Sequence, residues 1–156
     1  MTRRFTHRGL MSGLQTRSPI VVTHEQGFRF AAQIGEHRVP TDQSIRAGGD
    51  DTAPSPTELI SAALGSCIAL YVYQFCVSRA LPHEGMRIEV TPRNVANPNR
   101  IGELSVVVRL PGHLLPHTVE MLERVVRSCP VHNTLVHGAD VSLSLDVTST
   151  DHAVLG

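Results

Sequence analysis

The sequence predicts an α+β fold: an N-terminal strand meander, a long central helix, a β-hairpin, a second helix and a final strand. Three observations carry this expectation. Short alternating runs fill the N-terminal third, twenty residues without a charge separate Glu58 from Arg79, and an amphipathic stretch precedes a last alternating run. The order lacks the regular βαβ repeat of a nucleotide-binding sheet. With 156 residues, the chain has the length of one domain that buries roughly 70% of its unfolded surface. Residues 19–150 are expected to form it, between a basic tail at 1–18 and a short tail at 151–156.

Residues 20–23 and 28–34 read as strands because apolar residues crowd them and His24-Glu25-Gln26-Gly27 between them is a plausible turn. A third short strand at 37–41 completes the meander. Gly, Asp, Pro and Ser dominate 47–56, which marks a loop. Ser55 then reads as a helix N-cap, Pro56 as the first helical residue and Glu58 as the third, together a capping box. The helix should run to about Ala80, where Leu81-Pro82 stops it. Residues 86–95 and 102–110 flank Asn97-Pro98-Asn99 and read as a hairpin. A second helix is expected from about Pro116, with Val119, Leu122, Val126 and Cys129 on one face. Pro130 interrupts that pattern at Cys129. Val141, Leu143, Leu145 and Val147 alternate cleanly in the final strand.

The uncharged helix is long enough to span a membrane. Ser61, Gly65, Ser66, Gln74 and Ser78 make it a poor surface for lipid, so we expect a buried core helix and no membrane. One small sheet gives too little cover for a helix apolar on nearly every side. A homodimer with its helices shared at the core is therefore expected.

Lys+Arg and Asp+Glu both number 14, so no global positive field draws the chain to nucleic acid. With no Trp, two Tyr and four Phe, stacking platforms are also few. Every basic residue is arginine, which removes Schiff-base chemistry and a phosphate-loop lysine. The first eighteen residues carry Arg3, Arg4, Arg8 and Arg17 without an apolar segment, unlike a secretory signal. Three cysteines in such a chain fit a reducing cytoplasm better than a disulfide-stapled secreted domain.

Cys76 follows Cys67 by nine residues, which on a helix is half a turn round and roughly 13 Å along. No disulfide joins them without breaking the helix, which leaves Cys129 as the only intramolecular partner open to Cys67. Cys76 reads as a core residue. Glu58 faces away from Cys67 on the same geometry, so its capping role is the simpler one. His132 and Asn133 beside Cys129 also spell the residue types of a cysteine hydrolase. Cys67, Cys129, His132 and His137 contain metal-binding types, yet no paired ligand spacing. A metal site is therefore only weakly signalled.

Three motifs define a resemblance: Gly48-Gly49-Asp50-Asp51-Thr52-Ala53-Pro54-Ser55-Pro56-Thr57-Glu58-Leu59, Ala62-Ala63-Leu64-Gly65-Ser66-Cys67, and Cys129-Pro130-Val131-His132-Asn133-Thr134-Leu135. In this order they resemble the osmotically inducible protein C and organic hydroperoxide resistance (OsmC/Ohr) family, over residues 20–147. The resemblance implies an intertwined α+β homodimer and a thiol-dependent peroxidase acting on organic hydroperoxides. It gives Cys67 the peroxidatic role and Cys129 the resolving role, with an external dithiol, often a lipoylated protein in this family, as reductant, and it implies no metal or organic cofactor. The family's peroxidases carry an activating glutamate directly after the proline; here that position is Thr57, and Glu58 lies beside it. They also use an arginine from the N-terminal strands, for which Arg29, Arg38 and Arg46 are available. With Thr57 in that place, a second function is open: a protein that binds a small hydrophobic ligand in the dimer cleft, or senses oxidants.

Overall fold

A computed structural model describes residues 18–147. The expected tail at 1–18, save its last residue, and the expected tail at 151–156 lie outside the described residues. The chain groups into two compact units, one ending at Ile60 and one beginning at Ser61.

The first unit is an antiparallel meander of β1 (Val21–Gln26), β2 (Arg29–Ile34) and β3 (His37–Thr41), in the order β1-β2-β3. The turn between β1 and β2 is possible because Gly27 takes φ 55, a conformation that costs side-chain-bearing residues energy. Alternation sets the register, with Thr23 opposite Ala31 and Ala32 opposite Val39. Few of these side chains are buried. Val21, Val22, Phe28 and Ile34 are exposed, and Ala31 is the strands' one buried residue.

The loop after β3 is organised by Asp42, whose side chain is fully buried. Its carboxylate accepts hydrogen bonds from the Gln43 N–H at 2.7 Å, the Thr52 N–H at 3.0 Å and the Thr52 hydroxyl at 2.8 Å. Gly49 packs against this knot. A Cβ there would lie 2.1 Å from the Gln43 carbonyl oxygen, so the loop closes only around glycine.

The Thr52 N–H, helped by the other donors and opposed by burial, holds the Asp42 carboxyl below its ordinary 3.8. A depressed value contributes stability that is complete above the unfolded-state pKa and is lost as pH falls through the folded one. Asp42→Asn should therefore lower the melting temperature near neutral pH, and the gap to wild type should close below 3.8. A gap unchanged between about pH 6 and about pH 3 would remove Asp42 from this role.

Helix α1 (Pro56–Ser78) starts as its sequence dictates. Glu58 Oε2 accepts from the Ser55 N–H at 2.7 Å, while the Ser55 hydroxyl accepts from the Glu58 N–H at 3.4 Å. This reciprocal pair is the capping box. The helix ends at Ser78, and Ala80 turns left-handed at φ 51 before Pro82.

In the second unit, β4 (Arg87–Ala96) and β5 (Asn99–Arg109) form an antiparallel hairpin, with Ile88 opposite Val108 and Val90 opposite Val106. Both strands run closer to the Asn97-Pro98 turn than expected. Arg109 clamps Glu89 across the pair through two hydrogen bonds of 2.8 and 3.1 Å. The core gathers Leu64, Ile68, Val72, Phe75 and Cys76 of α1, Leu122 of α2 (Pro116–Arg127) and Cys129, with Ile88, Val90, Leu104 and Val106 against them. Full burial of Ile68 and Val72 contributes about 1.5–3 kcal/mol each. Only one face of α1 is buried. Leu70, Tyr73 and Val77 on another face are about half exposed, so the helix, apolar enough to span a membrane by composition, is left partly uncovered in a single chain.

One element was not expected, and one expectation needs correction. The segment after Cys129, to which the sequence assigned no element, forms helix α3 (Pro130–His137). Proline is suited to the first helical position because that residue's N–H has no intrahelical acceptor, and Gly138 at φ 78 closes the other end. The expected final strand at 141–147 forms no ladder. Val141, Leu143, Leu145 and Val147 are 84–91% exposed, since alternation becomes a strand only where a neighbouring strand accepts its hydrogen bonds.

Candidate active site

Cys67 lies in the middle of α1, one residue before the buried Ile68, and is half-buried. Cys129 is completely buried at the joint between α2 and α3. Ser128 ends α2, with its hydroxyl bonded to the Val125 carbonyl at 2.7 Å. Cys129 then caps α3, its carbonyl accepting from the Asn133 N–H at 2.9 Å. The joint brings Cys129 into the same core cluster as Cys67 of α1, with the two thiols side by side. Both are free thiols. Cys76 is buried elsewhere in the core, and burial pushes its thiol up.

Burial also pushes the Cys67 thiol above its ordinary value, and the adjacent Cys129 adds to the rise. The Val131 backbone N–H opposes both.

The other candidates lie as follows. Glu58 is committed to the cap, where its bonds to Ser55 hold the carboxyl below its ordinary value. The Thr57 hydroxyl lies 3.2 Å from that of Ser55. Arg29 donates to Gln26 Oε1 at 2.7 Å, and Arg38 pairs with Glu25. Arg46 stands exposed in a short 3-10 helix (Ile45–Ala47). All five belong to the first unit.

His132 lies in the first turn of α3, and its Nδ1 is buried without a hydrogen-bond partner. The hydrolase arrangement needs that ring to serve a cysteine, and through Nδ1 it serves none. His132 also lines a cavity of about 700 Å³ with Ile68, Leu104, Val106, Val108 and Leu122. Among the described residues no group of three or more His, Cys, Asp or Glu side chains is placed to hold a metal.

The feature missed in the sequence is helix α3, which follows directly on Cys129. Its signal was present: a proline directly after Cys129 and a glycine at 138 bracket eight residues, the asymmetry of a short helix.

A buried thiol pair between a long helix and a helix joint, beside an antiparallel hairpin, is the arrangement of a thiol-bearing α+β protein. The profile of the OsmC-like protein family matches residues 48–144, and the chain belongs to this family. No curated protein matches it. Solved structures share the fold. A protein of Psychrobacter arcticus 273-4, provisionally described as an osmotic stress induced and detoxification response protein, is 23% identical with a TM-score of 0.70, over 78% of this chain and 90% of that one. An OsmC-like protein from Mycoplasma pneumoniae is 15% identical with a TM-score of 0.66, over 79% and 89%. An organic hydroperoxide resistance protein OsmC from Legionella pneumophila is 19% identical with a TM-score of 0.57, over 85% and 100%.

Proposed function

We propose that the protein is a cysteine-based peroxidase that reduces organic hydroperoxides. The observation that carries this reading is the contact between two free thiols, Cys67 and the fully buried Cys129. The Legionella neighbour's description as an organic hydroperoxide resistance protein supports it. The Cys67 thiolate attacks one peroxide oxygen and the O–O bond breaks. The departing alkoxide takes a proton and leaves as an alcohol, and the sulfur, oxidised by two electrons, becomes a sulfenic acid. Cys129 attacks that sulfur, expels water and forms a disulfide. An external dithiol, of the lipoylated-protein class, then restores both thiols by exchange. No resident metal or organic cofactor enters this cycle.

We also infer that the working form is a cytoplasmic homodimer. The exposed α1 face, the bare meander and the unpaired run at 141–147 are the surfaces a second copy would cover. Mass measurement in solution should give twice 17.0 kDa; a single-chain mass would overturn the dimer.

The peroxidase reading is tested by treating the reduced protein with one equivalent of cumene hydroperoxide, mapping the product by mass spectrometry, and following peroxide loss with excess dihydrolipoamide. A Cys67–Cys129 disulfide with many turnovers is expected. Oxidation without turnover, or unchanged thiols, would favour the second reading instead. That reading, a binder of a small hydrophobic ligand or an oxidant sensor, draws on the apolar cavity beside Ile68 and on Thr57.

A further inference from the structure

The cavity of about 700 Å³ in the second unit has no task in the thiol chemistry, because neither Cys67 nor Cys129 lines it. Its origin is in the sequence. Val106 and Val108 alternate along β5, and α2 meets them with Val119, Leu122 and Val126, a helical spacing of three and four residues. Most of these side chains are short valines, and no Phe, Tyr or Met lines the space among the described residues. The two rows therefore leave a gap, which Ile68 of α1 and His132 of α3 also border. Its volume is that of a small-molecule site, and its aliphatic walls suit an aliphatic chain.

The polar groups at the cavity are mixed in sign. Glu123 and Arg127 lie one turn apart on α2, both exposed, and neither enters an ion pair among the described residues. A carboxylate ligand would be drawn to Arg127 and repelled by Glu123, and an ammonium the reverse. A hydroxyl avoids both costs: it donates to Glu123 or accepts from Arg127, and it carries no charge. His113 is a further exposed group at the cavity. His132 differs from these, because its Nδ1 is buried without a partner and its desolvation is not repaid. A half-turn of that ring about Cβ–Cγ can bring Nδ1 to a hydroxyl in the cavity.

We propose that this cavity is a binding site for an aliphatic alcohol, with the chain against Ile68, Val106 and Leu122 and the hydroxyl among Glu123, Arg127 and His132. An alcohol pocket gives the ligand-binding reading its ligand, and to that extent rests on it. The site itself stands apart from the thiol pair. Alcohols are also the class of product that the proposed peroxidase releases.

The test uses the full chain, reduced and without peroxide, with 1-octanol as probe and backbone amide shifts followed by NMR. Saturable shifts are expected along β5 and α2. 1-Hexanol, shorter by two methylenes, should bind about tenfold more weakly. Octanoate and octylammonium should each bind at least about fivefold more weakly than 1-octanol. Val119→Trp fills the cavity from a position that is 40% exposed and should weaken 1-octanol by about tenfold or more, whereas Val119→Ala stays within about threefold of wild type. His132→Phe, which keeps a ring without its nitrogens, should cost about fivefold. The absence of saturable shifts, octanoate binding more tightly than the alcohol, or equal binding by Val119→Trp and wild type would each overturn the site. If Val119→Trp fails to fold, the comparison of the octyl ligands on the wild-type chain decides. Cys67→Ser should bind 1-octanol unchanged, so failure of the peroxidase reading and failure of this site are told apart.

Discussion

Replacing Cys67 by serine is expected to abolish hydroperoxide turnover, with a loss of at least about 10³-fold, because a serine hydroxyl is almost wholly protonated at neutral pH and has no accessible two-electron oxidation. Serine is close to cysteine in size, and position 67 is only half-buried, so the fold should survive. Activity loss with an unchanged melting temperature would thus report chemistry. Cys76→Ser is the comparison. Its sulfur is fully buried in the core and away from the thiol pair, so that variant should lose stability by about 1–3 kcal/mol and keep its turnover. Full activity in Cys67→Ser would end the peroxidase proposal.

Cys129→Ser separates the two halves of the proposed cycle. The first oxidation still proceeds, so one equivalent of peroxide is consumed in a single burst. Without an internal thiol the Cys67 sulfenic acid persists, and dimedone should label it in high yield. Wild type under the same conditions should show the disulfide instead. Steady turnover with dihydrolipoamide should fall by about 10²-fold or more, since resolution becomes bimolecular. Unchanged turnover in this variant would make Cys129 a structural residue and would move resolution to the external dithiol.

Much of the fold was legible because its determinants are local. The Ser55 and Glu58 capping box, Pro56 inside it, the meander turn at Gly27 and the hairpin at Asn97-Pro98 each follow from chemistry within a few residues. Helix α3 was obscured by Pro130, which ends a pattern when read from the left and starts a helix when read from the right. The run at 141–147 shows a different limit. Its alternation is a property of the sequence, but a strand also requires a neighbour, which no local pattern specifies. The site divides in the same way. Spacing on α1 separates Cys67 from Cys76 and leaves Cys129 as the one open partner, whereas the approach of Cys129 depends on how two distant helices pack, which no local pattern states.

The burial of Cys129 against a half-buried Cys67 also sets a competition, in the proposed cycle, between further oxidation by peroxide and reduction by a neighbouring thiol. A sulfenic acid at Cys67 can meet a second peroxide molecule, which drives it irreversibly to sulfinic acid, or it can meet Cys129. Positioned groups of this kind react with effective molarities that reach about 10⁵ M and above. Peroxide in a cell cannot approach such a value. If Cys129 resolves Cys67 as proposed, that thiol, shielded from solvent, would react almost only with its neighbour, and the pair would stay repairable through a peroxide surge that destroys a lone exposed cysteine.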